Sequence, residues 1–220
     1  MTTKNRIIFI VVLVVIVIGL VYVVHYYGKN GQPTVQSTQP VATIFPQSYT
    51  DTVRGFTVQY PTGYTADTSY VYNQPVQGQN IAGVKFTIPT TLAQGTNLGQ
   101  DSYISVEELP SSSAGPGQAC SANSFLDTSG MGVSAHLVTD SVTGVMYSVA
   151  SSTGAGAGNR YEETVYAITG SPQAHGCIAV RYFIHYSVFE NYPAGSIQHF
   201  DHDAMVTQFD AIRRTLVIAQ

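Results

Sequence analysis

The chain has 220 residues, of which 44% are hydrophobic and only 10% charged, with a formal net charge of −4. Soluble cytosolic domains usually carry about a quarter charged residues, so a surface built from Ser, Thr, Gly, Gln, Asn and Tyr points to an exported protein. From Tyr49 onward the bases are Arg54, Lys85, Arg160, Arg181, Arg213 and Arg214 against all 13 acids, a balance that argues against nucleic acid and against electrostatic attachment to anionic lipid.

Met1 to Arg6 carries Lys4 and Arg6 and precedes Ile7 to Val24, a run with no charged side chain. At about 1.5 Å of rise per residue such a run covers the hydrocarbon core of a bilayer, so a transmembrane signal-anchor helix is expected over 7–27 and a cytoplasmic tail over 1–6. The run ends in Val23, Val24, His25, Tyr26 and Tyr27 rather than in small residues, which argues against cleavage. Tyr22, Tyr26 and Tyr27 suit an interfacial belt, and Lys4 with Arg6 should hold the N-terminus inside. The rest of the chain is then periplasmic or extracellular, attached to the cytoplasmic membrane by one pass. With no Cys near the run a lipoprotein anchor is excluded, and the lack of an early Glu weakens a pilin reading.

Residues 28–48, with Gly28, Gly31, Pro33, Pro40 and Pro46 among Gln, Ser and Thr, lack an apolar period and read as a flexible linker. Residues 49–220 show no internal repeat or composition break and are enough for one domain. Period-two alternation dominates it. Phe56, Val58 and Tyr60 precede a turn at Pro61 to Gly63; Val84, Phe86 and Ile88 precede Pro89; Tyr103, Ile104 and Val106 lead to Pro110. A short helix is expected from about Gln118 to Leu126, opened by Pro116 and Gly117.

Val142 to Ser151, Arg160 to Thr169 and Cys177 to Tyr186 read as three longer antiparallel strands, joined by Ser152 to Asn159 and by Gly170 to Gly176. In the last, Ile178, Val180, Tyr182, Ile184 and Tyr186 face one way, with Arg181, Phe183 and His185 opposite. A longer helix is expected from Ser196 to Arg214. There Phe200, Ala204, Phe209, Ile212 and Leu216 approximate a 3.6 period, Asp201 and Asp203 sit in the first turn, and Arg213 and Arg214 in the last. The fold class is therefore α+β: an antiparallel sheet with a C-terminal helix packed on one face, plus the N-terminal membrane helix.

The segments Phe56-Thr-Val-Gln-Tyr-Pro-Thr-Gly-Tyr64 and Phe209-Asp-Ala-Ile-Arg-Arg-Thr-Leu-Val217 resemble the opening strand and closing helix of PsbP-like domains. That resemblance covers the two ends of the domain. It implies the fold and brings no catalytic residue with it.

Cys120 and Cys177, the only two cysteines, should pair in an oxidising compartment, closing a loop with about 3 to 4 kcal/mol of stabilisation. His175 then reads as a loop residue. His199, His202 and Asp203 share a helix face if the helix starts at Ser196, and with His185 or Glu190 as a further ligand they form a candidate metal site and the basis of a metal-dependent enzyme reading. The same acids equally complement a helix dipole. Glu162 and Glu163, adjacent on a strand, point to opposite faces, and Glu107 and Glu108 do the same, leaving partnership with Arg181 as their structural role.

Gly154, Gly156 and Gly158 meet no phosphate-loop pattern, no G-x-S-x-G occurs, and nothing in the sequence points to a cofactor. Tyr161, Tyr166, Tyr182, Tyr186 and Tyr192, with Phe183 and Phe189, crowd the last third. Tyr offers contact area and a hydroxyl at small entropic cost, so Tyr182, Tyr186 and Tyr192 are candidates for a surface that binds an envelope protein or glycan. The function expected is a non-enzymatic binding or accessory module of the cell envelope, with the metal-dependent enzyme and a structural subunit of a membrane assembly as alternatives.

Overall fold

The computed structural model describes residues 45–74, 79–109, 120–126, 133–168 and 176–219. The expected tail, membrane helix and most of the linker lie outside them, as do Pro110, Pro116, Gly117, His175 and most of the Gly170 to Gly176 loop. Among the described residues no helix is long and apolar enough to cross a membrane.

The described strands form two antiparallel sheets. The smaller has the order β1-β2-β11, from Gln47–Asp51, Phe56–Tyr60 and Val217–Ile218. Its first strand begins at Gln47, inside the segment read as linker. The larger comprises β3 (Thr65–Asp67), β4 (Val71–Gln74), β5 (Gln79–Thr87), β6 (Tyr103–Leu109), β7 (His136–Thr139), β8 (Met146–Gly156), β9 (Asn159–Ile168) and β10 (Cys177–Ser187). They follow the order β3-β5-β6-β10-β9-β8-β7, with β4 also on β5. Among the described residues two helices complete the frame, α1 (Thr90–Ala93) and α2 (His202–Arg213).

One face of the larger sheet carries Val84, Phe86, Ile104, Val106, Ile178, Val180, Tyr182 and Ile184, packed against Phe56 and Val58 of β2 and Met205, Phe209 and Ile212 of α2. The α+β class and the C-terminal helix stand as the alternation implied, while the smaller sheet shares the helix's face. The opposite face is partly covered too: Ala150, Val165, Ala167 and Ala179 pack beneath Ala122, Phe125 and Leu126. Cys120 and Cys177 form a disulfide that ties this covering segment to the start of β10, with 5.4 Å between the two Cα atoms.

Several boundaries differ from those expected, each for a visible reason. The long helix starts at His202, not Ser196, because Asp201 caps it by accepting the Ala204 N–H at 2.9 Å. Upstream, the backbone is engaged elsewhere: Gln198 N–H donates to the Gly95 carbonyl, and Phe200 N–H to Asn97 Oδ1. Its buried stripe is Met205, Phe209 and Ile212, and Ala204 is exposed. Of the segment expected as a short helix, Gln118 and Ala119 lie outside the described residues, and the described part contains one 3₁₀ turn, Ala122–Ser124.

The first of the three long strands, β8, begins at Met146 rather than Val142, since Asp140 gathers the Val142 and Thr143 N–H groups into a tight turn between β7 and β8. At the other end the glycines read as a loop stay in the ladder, Gly154 opposite Tyr161 and Gly156 opposite Asn159. The reversal takes two residues, Ala157 and Gly158, both left-handed at φ 47° and 78°, as a primed hairpin turn requires.

Candidate binding surface

The sheet face opposite α2 changes character along its length. Under the covering segment it holds a buried ion cluster. Arg181 is completely buried and donates from Nε and Nη2 to the two oxygens of Glu107 at 2.7 and 2.9 Å, from Nη1 to Glu163 at 2.7 Å and from Nη2 to the Phe125 carbonyl at 2.6 Å. The Tyr72 ring lies 3.5 Å from its guanidinium carbon. Burial alone would lower this guanidinium's pKa, but the charge and hydrogen bonds of Glu107, then Glu163, hold it well above its ordinary value. Arg181 is thus a permanent buried cation whose donors are matched to acceptors. Glu107 also accepts from Tyr70 and Ser105, and burial pushes the Tyr72 hydroxyl up to about 12.

From that cluster a row of rings runs across the strands. Tyr70 shares a hydrogen bond of 3.0 Å with Tyr103, and their centroids are 5.5 Å apart. Tyr103 stacks on Phe183, its register partner on β10, at 4.9 Å and 22°. Phe183 leans on Tyr161 at 6.1 Å, and Tyr161 stacks on its own partner His185 at 4.6 Å and 17°. Lys85 lies 5.5 and 5.7 Å from the Tyr70 and Tyr103 centroids. Tyr103 is buried, and Tyr70, Phe183, Tyr161 and His185 are half-buried.

The polar groups at the far end hold one another. His185 Nδ1 donates to Asp101 Oδ1 at 2.7 Å, its Nε2 lies 3.1 Å from Asn159 Oδ1, and Ser187 Oγ donates to the same Asn159 oxygen. The loop carrying Asp101 is clamped to β10 by Gly99 N–H donating to the His185 carbonyl at 2.7 Å. A Cβ at Gly99 would sit 2.6 Å from Asp101 Oδ1 and 2.7 Å from His185 Nδ1, so a larger residue here would have to displace the Asp101–His185 pair.

The residues proposed from sequence are dispersed. Tyr182 lies in the core, donating to Asp210 at 2.7 Å and accepting from Arg213 Nε at 2.8 Å, so it is no part of an exposed patch. Tyr186 is half-buried on the α2 face, donating to Glu162 at 2.8 Å, and Tyr192 follows a 3₁₀ turn, Phe189–Asn191. His199 precedes α2 and stacks on Phe189 at 4.0 Å, whereas His202 Nε2 reaches Glu162 at 2.9 Å and its Nδ1 lies 3.6 Å from Asp203. The shared helix face assumed for His199 and His202 does not exist, and His185 is on the other side of the sheet. Among the described residues no group of three or more His, Cys, Asp or Glu is arranged to hold a metal ion.

Sequence reasoning did split β10 correctly into an apolar face and one with Arg181, Phe183 and His185. It missed Asp101, Tyr70 and Tyr103 as their neighbours; the available signal was the i, i+2 pairing of Tyr161 with Glu163 on the adjoining strand.

No protein-family model matches the chain, and no curated protein matches it. Among solved structures it is similar to a crystal structure from Bacteroides thetaiotaomicron, at 11% identity and a TM-score of 0.42. The likeness covers 79% of this chain and 48% of that one, so the chain spans about half the length of that protein.

Proposed function

We propose that this protein is a non-enzymatic binding or accessory module of the cell envelope, held at the outer face of the cytoplasmic membrane by residues 7–27. The aromatic row on the sheet face opposite α2 is its recognition surface. The observation that carries this reading is that the row is held at both ends yet half-exposed where Phe183, Tyr161 and His185 lie. Tyr70 and Tyr103 are fixed to the buried Arg181–Glu107 cluster, while Tyr161 and His185 stand half-exposed at the rim. Rings held by packing and hydrogen bonds lose little entropy on contact, which is what a preorganised binding surface needs. His185, Asp101 and Asn159 are occupied with each other, an arrangement that fixes ring orientation.

The test is recovery of envelope components on tagged full-length protein from solubilised membranes, with Tyr161→Ala and Phe183→Ala beside the parent. Loss of a component with both variants, at unchanged Tm, is the expected result. Equal recovery from all three proteins would overturn the assignment of this surface.

A further inference from the structure

The open end of the row has a shape that narrows the ligand class, an inference that rests on the recognition surface proposed above. Tyr161 has two ring faces, and His185 of β10 covers one of them at 17° and 4.6 Å. Strand order places β8 on the other side of β9, and the β8 residue opposite Tyr161 is Gly154. The next β8 position on that face is Gly156, opposite Asn159, and both glycines are exposed. A Cβ at Gly154 would lie 3.7 Å from the Tyr161 Cβ, ordinary contact, so the glycine is not demanded by crowding. What it leaves is a bare backbone floor beside the free face of an aromatic ring.

The floor is also an edge. β7 pairs with β8 only over Met146 to Val149, and among the described residues nothing pairs with the outer side of Ala150 to Gly156. The slot beside Tyr161 therefore opens to solvent on its far side, with Asn159 at one end and the Ser152–Glu163 pair at the other.

We propose that this slot binds a neutral hexopyranose unit of a carbohydrate chain. A pyranose has an apolar face of axial C–H groups and a rim of hydroxyls. The face matches the side of Tyr161 turned away from His185, and the hydroxyl rim matches the backbone N–H and C=O groups along the outer side of β8, which nothing pairs with among the described residues. The domain carries six bases against 13 acids, so a neutral sugar is favoured over an anionic one. A side-chain-free floor offers no pocket to an amino-acid side chain, which favours a flat ring over a folded protein epitope. An extended peptide adding to the bare β8 edge is the competing occupant, and the experiment separates the two.

Full-length protein, purified in a detergent without a sugar headgroup, is titrated calorimetrically with cellohexaose, chitohexaose and maltohexaose. At least one should saturate, and its Kd should weaken about tenfold or more in Tyr161→Ala and in Gly154→Gln. The second variant adds a side chain over the floor and removes no contact, so a parental Tm shows that it folds. Failure of all three sugars to saturate at about 10 mM, or an unchanged Kd in Gly154→Gln, overturns the carbohydrate assignment. If sugars fail but Gly154→Gln still loses a membrane component, the recognition surface stands and its occupant is a peptide; if neither changes, both readings fall.

Discussion

Arg181 is the residue on which the sheet face is organised, because a guanidinium with no solvent exposure survives only where its donors are matched. Glu107 is equally buried, so removing Arg181 strands its carboxylate, and removing Glu107 leaves the buried guanidinium with Glu163 as its one carboxylate partner among the described residues. Glu107→Ala should cost about 3 to 5 kcal/mol in chemical denaturation. Asp140 offers a pH test. Burial acts to raise its pKa, but the Thr143 N–H, the guanidiniums of Arg213 and Arg214 and the Val142 N–H together hold it well below the usual carboxylate range. A folded value below the unfolded one means that the stabilisation is complete above about pH 5 and is lost as pH falls through the unfolded value near 4 toward the folded one. The Tm should therefore drop on acidification from pH 5 to 2, and by less in Asp140→Asn. Part of this was legible beforehand: alternation on β10 set Arg181 apart from Ile178 and Val180, and Glu107 was a natural partner. Asp101 was not, since it lies 84 positions from His185 and meets it only through a loop clamp.

At the scale of elements, α2 and the β8–β9 hairpin show where periodicity stops being informative. The apolar spacing of α2 continues back to Phe200, but Gln198 and Phe200 give their N–H groups to the Gly95–Asn97 loop, and Asp201 supplies the cap at the first residue free to start a helix. Asp201→Ala should lower stability by about 1 kcal/mol in urea denaturation. In the hairpin, three alternating glycines look like a loop by composition, yet two of them pair in register and the turn falls on Ala157. That alanine sits at φ 47°, where a Cβ costs about 1 to 2 kcal/mol, part of which glycine gives back as chain entropy. Ala157→Gly should accordingly raise the Tm slightly rather than lower it. The disulfide spans 57 positions, so replacing both cysteines with Ser should cost about 4 kcal/mol by loop-closure entropy.

Over the whole molecule, the antiparallel pattern and the C-terminal helix followed from the period-two strands and the one strong 3.6 stretch. The smaller sheet was harder to foresee because β11 is two residues long, and β7 because all four of its residues are exposed and carry no alternation. Tyr-rich composition did not say which rings would meet: Tyr182 went to the core with α2, whereas Tyr103 and Tyr161 were set beside Phe183 and His185 by strand order alone. Long-range pairing, which no local pattern encodes, decides which rings meet.

Backbone hydrogen–deuterium exchange on the full-length protein, with and without a solubilised envelope extract, tests that placement most directly. Slowed exchange confined to residues 99–104, 154–163 and 183–187 is the result expected of a ligand seated on the aromatic row. Protection that leaves those segments unchanged and falls instead on α2 or β7 would show that the molecule meets its partner through another face.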